Sequence, residues 1–197
     1  MKKLIFATSN EGKMKEVRAI LADTGYEIWS IAEAGIQVDV EENGATFEEN
    51  ARIKAQAVHA ASQIGHALVL ADDSGLEIDH LDKEPGVHSA RYMGEDTSYE
   101  IKNARILERL EGVPDEQRTA RFVCAIAAVF EDGRCVTVRE AMEGFIGYEP
   151  QGENGFGYDP IFYLDLDGPS NAQLSMEEKN RSSHRGKALR AMKKELL

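Results

Sequence analysis

Residues Leu68-Val69-Leu70-Ala71-Asp72-Asp73-Ser74-Gly75-Leu76 constrain this chain more than any other stretch. Three apolar residues read as the end of a buried strand. Two adjacent carboxylates, a hydroxyl and a glycine follow at once. If the strand continues through them, side-chain alternation sends Asp72 and Asp73 to opposite sides. One acid then faces a site while the other fastens neighbouring backbone. Ligand sites of α/β proteins commonly lie beyond the carboxyl ends of sheet strands. A hard cation, or a water awaiting deprotonation, suits a carboxylate there. The competing reading is a plain turn, because Asp, Ser and Gly are all turn formers. The stretch alone leaves both open.

At 197 residues the chain is long enough for one sizeable domain, and 42% hydrophobic content marks a folded protein rather than a disordered one. Its formal net charge of -12, from 35 acidic and 23 basic residues, argues against nucleic-acid or anionic-membrane partners, which need a broad basic face. A small anionic ligand needs only a local cluster of Lys and Arg. Cys124 and Cys135 have neither metal spacing nor a disulfide framework and read as reduced structural residues. Met1-Lys2-Lys3 begins like a signal peptide, but the apolar run Leu4 to Ala7 is too short for one. No stretch approaches a membrane span, so a cytoplasmic protein is expected.

Leu4 to Ala7 predicts a short buried strand, and Thr8-Ser9-Asn10-Glu11-Gly12-Lys13 a polar turn into a helix. Met14, Val17, Ile20 and Leu21 give that helix its apolar stripe, and Asp23-Thr24-Gly25 ends it. Backbone donors at a helix start hold anionic oxygen, and Lys13 adds a mobile charge. The spacing of a Walker loop or dinucleotide fingerprint is missing, so an ordinary cap and an anion site both stand. Glu27 to Ser30 predicts a second strand. Val38 and Val40 flank Asp39 in a short alternating run that ends at Glu41-Glu42-Asn43-Gly44. Thr46 and Glu49 form a capping-box pattern for a helix expected to reach Gln63, with Gly65 as its stop. Phe47, Ala51, Ala55, Val58 and Ala61 are its expected buried face. Asn50 and Lys54, four apart, share another face: either solvated surface or a polar row turned to a ligand.

The loop containing Pro85 through Tyr92 is long enough to suggest a functional rim. A helix from Tyr99 to Glu111 is expected to turn Ile101, Ala104, Leu107 and Leu110 inward, with Gly112-Val113-Pro114 ending it. Ala120 to Phe130 is strongly apolar, Glu131 to Arg134 supplies a turn, and Cys135 to Ala141 alternates like a returning partner. This hairpin, after interleaved β and α patterns, predicts an α/β fold with a mixed sheet. No linker or repeat divides residues 1–197, so one domain is expected, with room for a smaller lobe around the hairpin.

In Asn154-Gly155-Phe156-Gly157-Tyr158-Asp159-Pro160-Ile161-Phe162, glycines permit close backbone approach and aromatic rings offer a stacking face. Asp159 either aligns that site or caps a local turn. The basic stretch Lys179 to Lys187 ends in a helix carrying Ala188, Leu189 and Met192, which Ser183 can cap. His184 and Arg185 then fall in its first turn, where anions bind favourably; a solvated basic helix start and a surface histidine are the alternatives. His59, His66, His80, His88 and His184 form no zinc spacing, and Ser74 lies in no nucleophile elbow. What remains is carboxylates for a divalent ion and cations for phosphate.

The blocks Phe6 to Lys13, Thr46 to Ala51, Ala71 to Leu76, Pro85 to Tyr92, Phe156 to Phe162 and Ser183 to Gly186 occur in this order along nearly the whole chain. Together they closely resemble the noncanonical purine nucleoside triphosphate pyrophosphatases, the inosine/xanthosine triphosphate pyrophosphatase family. The resemblance implies an elongated α/β subunit with a central mixed sheet, flanking helices and two lobes around a nucleotide cleft. It implies a homodimer that uses magnesium to hydrolyse inosine, deoxyinosine and xanthosine triphosphates to the monophosphate and pyrophosphate. By the same resemblance, Thr8, Ser9, Asn10, Glu11, Gly12 and Lys13 form the first triphosphate-binding segment. Asp73 is the catalytic carboxylate and a metal ligand, with Glu41 the favoured second metal acid and Glu42 its adjacent rival. Ser74, Phe156, Gly157, Tyr158, Asp159, Lys179, His184 and Arg185 make the remaining substrate contacts, and Lys54 and Asp72 play supporting parts.

Overall fold

The computed structural model describes residues 2–62, 64, 67–175, 177–179 and 183–197. The expected helix end at Gln63, its stop at Gly65, His66, and Asn180, Arg181 and Ser182 of the basic stretch lie outside the described residues. So does Met1.

Strand β1 (Lys2–Phe6) leads into helix α1 (Glu11–Leu21), capped by the Asn10 side chain, which accepts from the Lys13 amide. Met14, Val17 and Leu21 are its buried stripe, as their spacing predicts. Strand β2 (Tyr26–Ser30) returns parallel to β1. Residues 37–46 then lack regular structure; Val38 and Val40 are half-buried between exposed neighbours without forming a strand. Thr46 caps α2 (Phe47–Ala61) by accepting from the Glu49 amide. Phe47, Ala51, Ala55 and Val58 are buried, but Ala61 is exposed in the last turn.

Strand β3 (Ala67–Ile78) pairs parallel with β1 and runs unbroken through Asp72, Asp73, Ser74 and Gly75. The turn reading of those residues is therefore set aside. Ladder hydrogen bonds and apolar flanks on both sides outweigh four turn-forming residues. Helix α3 (Tyr99–Arg109) starts at its Ser98 cap. The hairpin is present as β4 (Thr119–Val129) and β5 (Cys135–Ile146), longer than predicted, and β6 (Phe162–Tyr163) pairs antiparallel with β5. Helix α4 (His184–Leu196) closes the chain. The six strands form one mixed sheet in the order β2-β1-β3-β4-β5-β6, an α/β fold as expected.

The chain divides into two compact units, and β3, β4 and β5 each contribute to both. The first comprises Met1–Asp73, Cys124–Glu140 and Arg185–Leu197. Its core packs Leu4, Phe6, Met14 and Val17 with Leu70, Ile126, Leu189 and Met192, all buried. The second comprises Ser74–Val123 and Ala141–His184, around Leu76, Ile78, Ile106, Leu110, Phe122 and Phe162. Cys124 is buried and Cys135 half-buried, and neither is in a disulfide. No helix among the described residues is long and apolar enough to cross a membrane.

Candidate active site

Asp72 and Asp73 follow one another on β3, so the pleat turns them apart. Asp72 is only 1% exposed. Lys13, carried by the first turn of α1, brings its Nζ to 2.9 and 3.2 Å from the two carboxylate oxygens. Arg185, in the first turn of α4, donates from Nε to Oδ2 over 3.3 Å and also faces Glu16 at 3.7 Å. Burial opposes a charge on Asp72, but Lys13, Arg185 and Lys54 outweigh it and hold the carboxyl well below the usual range. The expectation that one acid fastens neighbouring backbone is corrected: Asp72 instead ties the start of α1 to the start of α4 through the side chains of Lys13 and Arg185.

Asp73 has different company. Asn50 donates from Nδ2 to Asp73 Oδ2 at 3.0 Å, while its own Oδ1 accepts from the Gly44 amide at 2.8 Å. Both halves of that amide are used, so its orientation is fixed. Gly44 is required by this close approach, since a Cβ there would stand 2.7 Å from Glu49 Cβ and 2.8 Å from Asn50 Oδ1. Burial is the main force on Asp73. It raises the pKa, Asn50 and Lys54 pull it back, and the negative charges of Glu42 and Asp72 raise it further, leaving it at about 6. A carboxyl poised there is suited to accepting a proton near neutral pH.

Lys54 joins the β3 backbone to Glu42. Its Nζ donates to the Asp72 carbonyl at 3.0 Å and pairs with Glu42 at 2.9 Å. Asn50 and Lys54 thus form a polar row turned to Asp72, Asp73 and Glu42 rather than a solvated face. Glu42 is half-buried and electrostatically coupled to Asp73, whereas Glu41 is exposed and enters none of these contacts. Between the two glutamates, the geometry favours Glu42.

Thr8 to Asn10 lead from β1 to α1, and Glu11 to Lys13 form its first turn; Thr8 and Lys13 are half-buried and the four residues between them exposed. The Thr8 hydroxyl accepts from the Asn10 amide, and the Asn10 side chain takes the Lys13 amide. Ordinary capping is therefore present. It satisfies only part of the donor set of a helix start, so capping alone does not use up the amides of that first turn.

The second unit gathers a separate polar group. Asp159 accepts from Lys179 Nζ at 3.0 Å, Asn171 Nδ2 at 2.6 Å and the Phe156 amide at 3.2 Å. Lys179 also donates to the Asn154 carbonyl at 3.1 Å. Gly155, at φ +87°, backs directly onto this pair; a Cβ would collide with both Asp159 and Lys179. Asp159 thus caps the local turn and holds Lys179 and Asn171 beside it. Phe156 presents its ring to the outside at 70% exposure. Tyr158 is buried instead, its hydroxyl donating to the Ser89 carbonyl at 2.7 Å and its ring meeting Tyr99 edge-on at 5.2 Å. His184 stacks on Phe122 at 5.2 Å. Ser74 is half-buried on β3 just past Asp73.

Lys102 and Asn103 of α3 escaped the sequence reading. The apolar spacing turned Ile101, Ala104, Leu107 and Leu110 inward, yet Ile101 is 53% exposed and Ala104 exposed. Leu110 is buried and Leu107 half-buried; the rest of the inward face is Lys102, Asn103 and Ile106. A rule that looks for apolar residues misses a polar side chain buried by a partner far away in sequence.

A mixed sheet with paired acids on an inner strand and fixed cations around them defines an α/β protein suited to metal-assisted chemistry on an anionic substrate. The chain belongs to the Ham1 family, whose sequence profile matches residues 4–195. It is 50% identical over 195 residues to a dITP/XTP pyrophosphatase of an Exiguobacterium species, covering 99% of this chain and 97% of that protein. A Bacillus subtilis protein of the same name is 47% identical over 194 residues, covering 98% of this chain and 96% of its own. Among solved structures, a HAM1 protein from Coxiella burnetii superposes with a TM-score of 0.89 at 41% identity, covering 100% of this chain and 98% of the other.

Proposed function

We propose that this protein is a nucleoside triphosphate pyrophosphatase that hydrolyses dITP, ITP and XTP to the nucleoside monophosphate and pyrophosphate, clearing damaged purines from the nucleotide pool. The near-full-length likeness to proteins named dITP/XTP pyrophosphatase carries this reading. The acid pair supports its chemistry.

In the reaction, water attacks the α-phosphorus, the bond between that phosphorus and the α–β bridging oxygen breaks, and pyrophosphate departs with the bridging oxygen. Asp73 orients the water and takes its proton, the role of a positioned general base. Lys13 and the start of α1 bind phosphate oxygens, with Asp72 holding the lysine in place. Arg185, buried against Asp72, is held by that carboxylate at the start of α4 for its proposed substrate contact. Phe156 offers the base an apolar face, and Lys179 is held for the substrate by Asp159.

Magnesium is the proposed cofactor, with Asp73 and Glu42 as its protein ligands. The fit is chemical. Two crowded carboxylates, one with a raised pKa, form an excess of negative charge that a hard cation relieves. No group of three or more His, Cys, Asp or Glu side chains able to hold a metal occurs among the described residues; magnesium typically needs only one or two carboxylates, completed by water and substrate phosphates. When bound it neutralises triphosphate charge and polarises the phosphorus. We place the protein in the cytoplasm as a homodimer, and sedimentation as a monomer across the working concentration range would overturn the dimer.

The test is product analysis on a panel of inosine, xanthosine, guanosine, adenosine and pyrimidine triphosphates with their deoxy forms. Monophosphate plus pyrophosphate from ITP and dITP, with adenosine triphosphate a poor substrate, is the expected result. Diphosphate plus inorganic phosphate would refute the bond assignment, and equal efficiency on adenosine and inosine triphosphates would refute the selectivity.

A further inference from the structure

Helix α3 buries two polar side chains at considerable cost. Lys102 is 1% exposed, and among the described residues no carboxylate pairs with it. Its Nζ donates to the Ala90 carbonyl at 2.6 Å and lies 4.8 Å from the centre of the Tyr99 ring. Asn103 is 5% exposed; its Nδ2 donates to the Gly157 carbonyl at 3.1 Å, while its buried Oδ1 has no hydrogen-bond partner. An unpaired buried oxygen is expensive, and an apolar residue of the same shape avoids the loss. Core packing alone therefore gives no reason for Asn103. Its donor contact does.

That contact reaches the middle of the turn between Asn154 and Asp159. Gly157 sits at φ +71°, with its Cβ direction facing the Tyr99 ring at ordinary contact distance. Flanking residues secure the two ends of the turn: Asp159 takes the Phe156 amide, and Tyr158 reaches the Ser89 carbonyl. Only Asn103, from outside the turn, holds the Gly157 carbonyl among the described contacts. Lys102 meanwhile holds the loop at Ala90, next to the residue that receives Tyr158. One face of α3 thus grips two loops that also grip each other.

We infer that Asn103, supported by Lys102, is a positioning residue that sets the Phe156–Gly157 turn for the purine end of the substrate and so governs affinity for the base rather than the rate of phosphate cleavage. This rests on the proposed assignment of that turn to the base. Removing the donor releases the Gly157 carbonyl and lets the Phe156 ring wander, while Asp73 and its neighbours belong to the other unit and keep their contacts.

The test compares N103D, which keeps size but loses the donor, with N103A, in the full-length protein loaded with magnesium. Both variants should raise KM for ITP about tenfold and leave kcat within twofold. Calorimetry should show inosine monophosphate binding about tenfold weaker, with pyrophosphate, which has no base, within twofold of the parent. K102M should move the same quantities in the same direction by a smaller factor. Unchanged KM and unchanged inosine monophosphate affinity in N103D would overturn the inference, as would equal weakening of both ligands. If the parent binds inosine monophosphate but hydrolyses no triphosphate, the functional reading fails on its own, and the two affinities still decide the role of Asn103.

Discussion

Asp72 and Asp73 are the same residue type at adjacent positions of one strand, yet they sit in opposite electrostatic worlds. Asp72 is wrapped by Lys13, Arg185 and Lys54 and stays ionised despite complete burial. Asp73 is met by an amide and by the negative charges of Glu42 and Asp72, and its pKa climbs to about 6. The strand pleat alone separates them. One carboxylate spends its charge on holding the starts of α1 and α4. Its neighbour has a raised pKa, which suits the reacting role proposed for it.

The contrast breaks most directly on turnover. Replacing Asp73 with Asn should lower kcat by roughly 10²–10⁴-fold, the usual range for losing a positioned general base, with the circular-dichroism spectrum unchanged. A folded D73N with near-parent turnover in steady-state assays would remove Asp73 from the chemistry. Replacing Asp72 should instead strike the fold. D72N leaves buried Arg185 and half-buried Lys13 around a neutral amide, and breaking a buried pair costs about 3–5 kcal/mol. Denaturant titration measures that loss; adding K13M to D72N should recover part of it.

The pH dependence sharpens the same comparison. Because Asp73 binds its proton more tightly when folded than its usual 3.8, the folded protein holds more protons between about pH 4 and 6, and stability falls as pH rises through that window. Without metal, D73N should therefore match the parent below pH 4 and exceed it above pH 6 by at most about 3 kcal/mol. Asp72 has the opposite sign: its lowered pKa contributes stability above the ordinary carboxylate range, and this is lost as the solution is acidified below it. The smallest effects separate the two glutamates. E42Q should weaken magnesium binding about tenfold, equivalent to about 1.4 kcal/mol, whereas E41Q should stay within twofold; calorimetry with the metal alone distinguishes them.

Much of this pattern was legible in the residues. The apolar run into Asp72 and Asp73, the Thr46 cap and the four-residue spacing of Asn50 and Lys54 are local signals, and each corresponds to an observed element. What escaped depends on partners distant in sequence or on irregular backbone. Glu41 and Glu42 lie between β2 and α2 in a segment without a pleat or helical period to say which turns inward. Lys102 and Asn103 are buried because Ala90 and Gly157 offer carbonyls, which no periodicity reports. The sequence offers Tyr158 as a stacking face, but its hydroxyl is taken by the Ser89 carbonyl and its ring by the edge of Tyr99, partners that no local pattern reports.

The most direct test of the division of labour is a carboxyl-carbon NMR titration of both aspartates in the metal-free protein, with D72N and D73N providing the assignments. Asp73 should titrate near pH 6, while Asp72 should remain ionised to well below pH 3.8. Two ordinary titrations near pH 4, or an elevated Asp72 beside an ordinary Asp73, would contradict the assignment of anchor and reacting group.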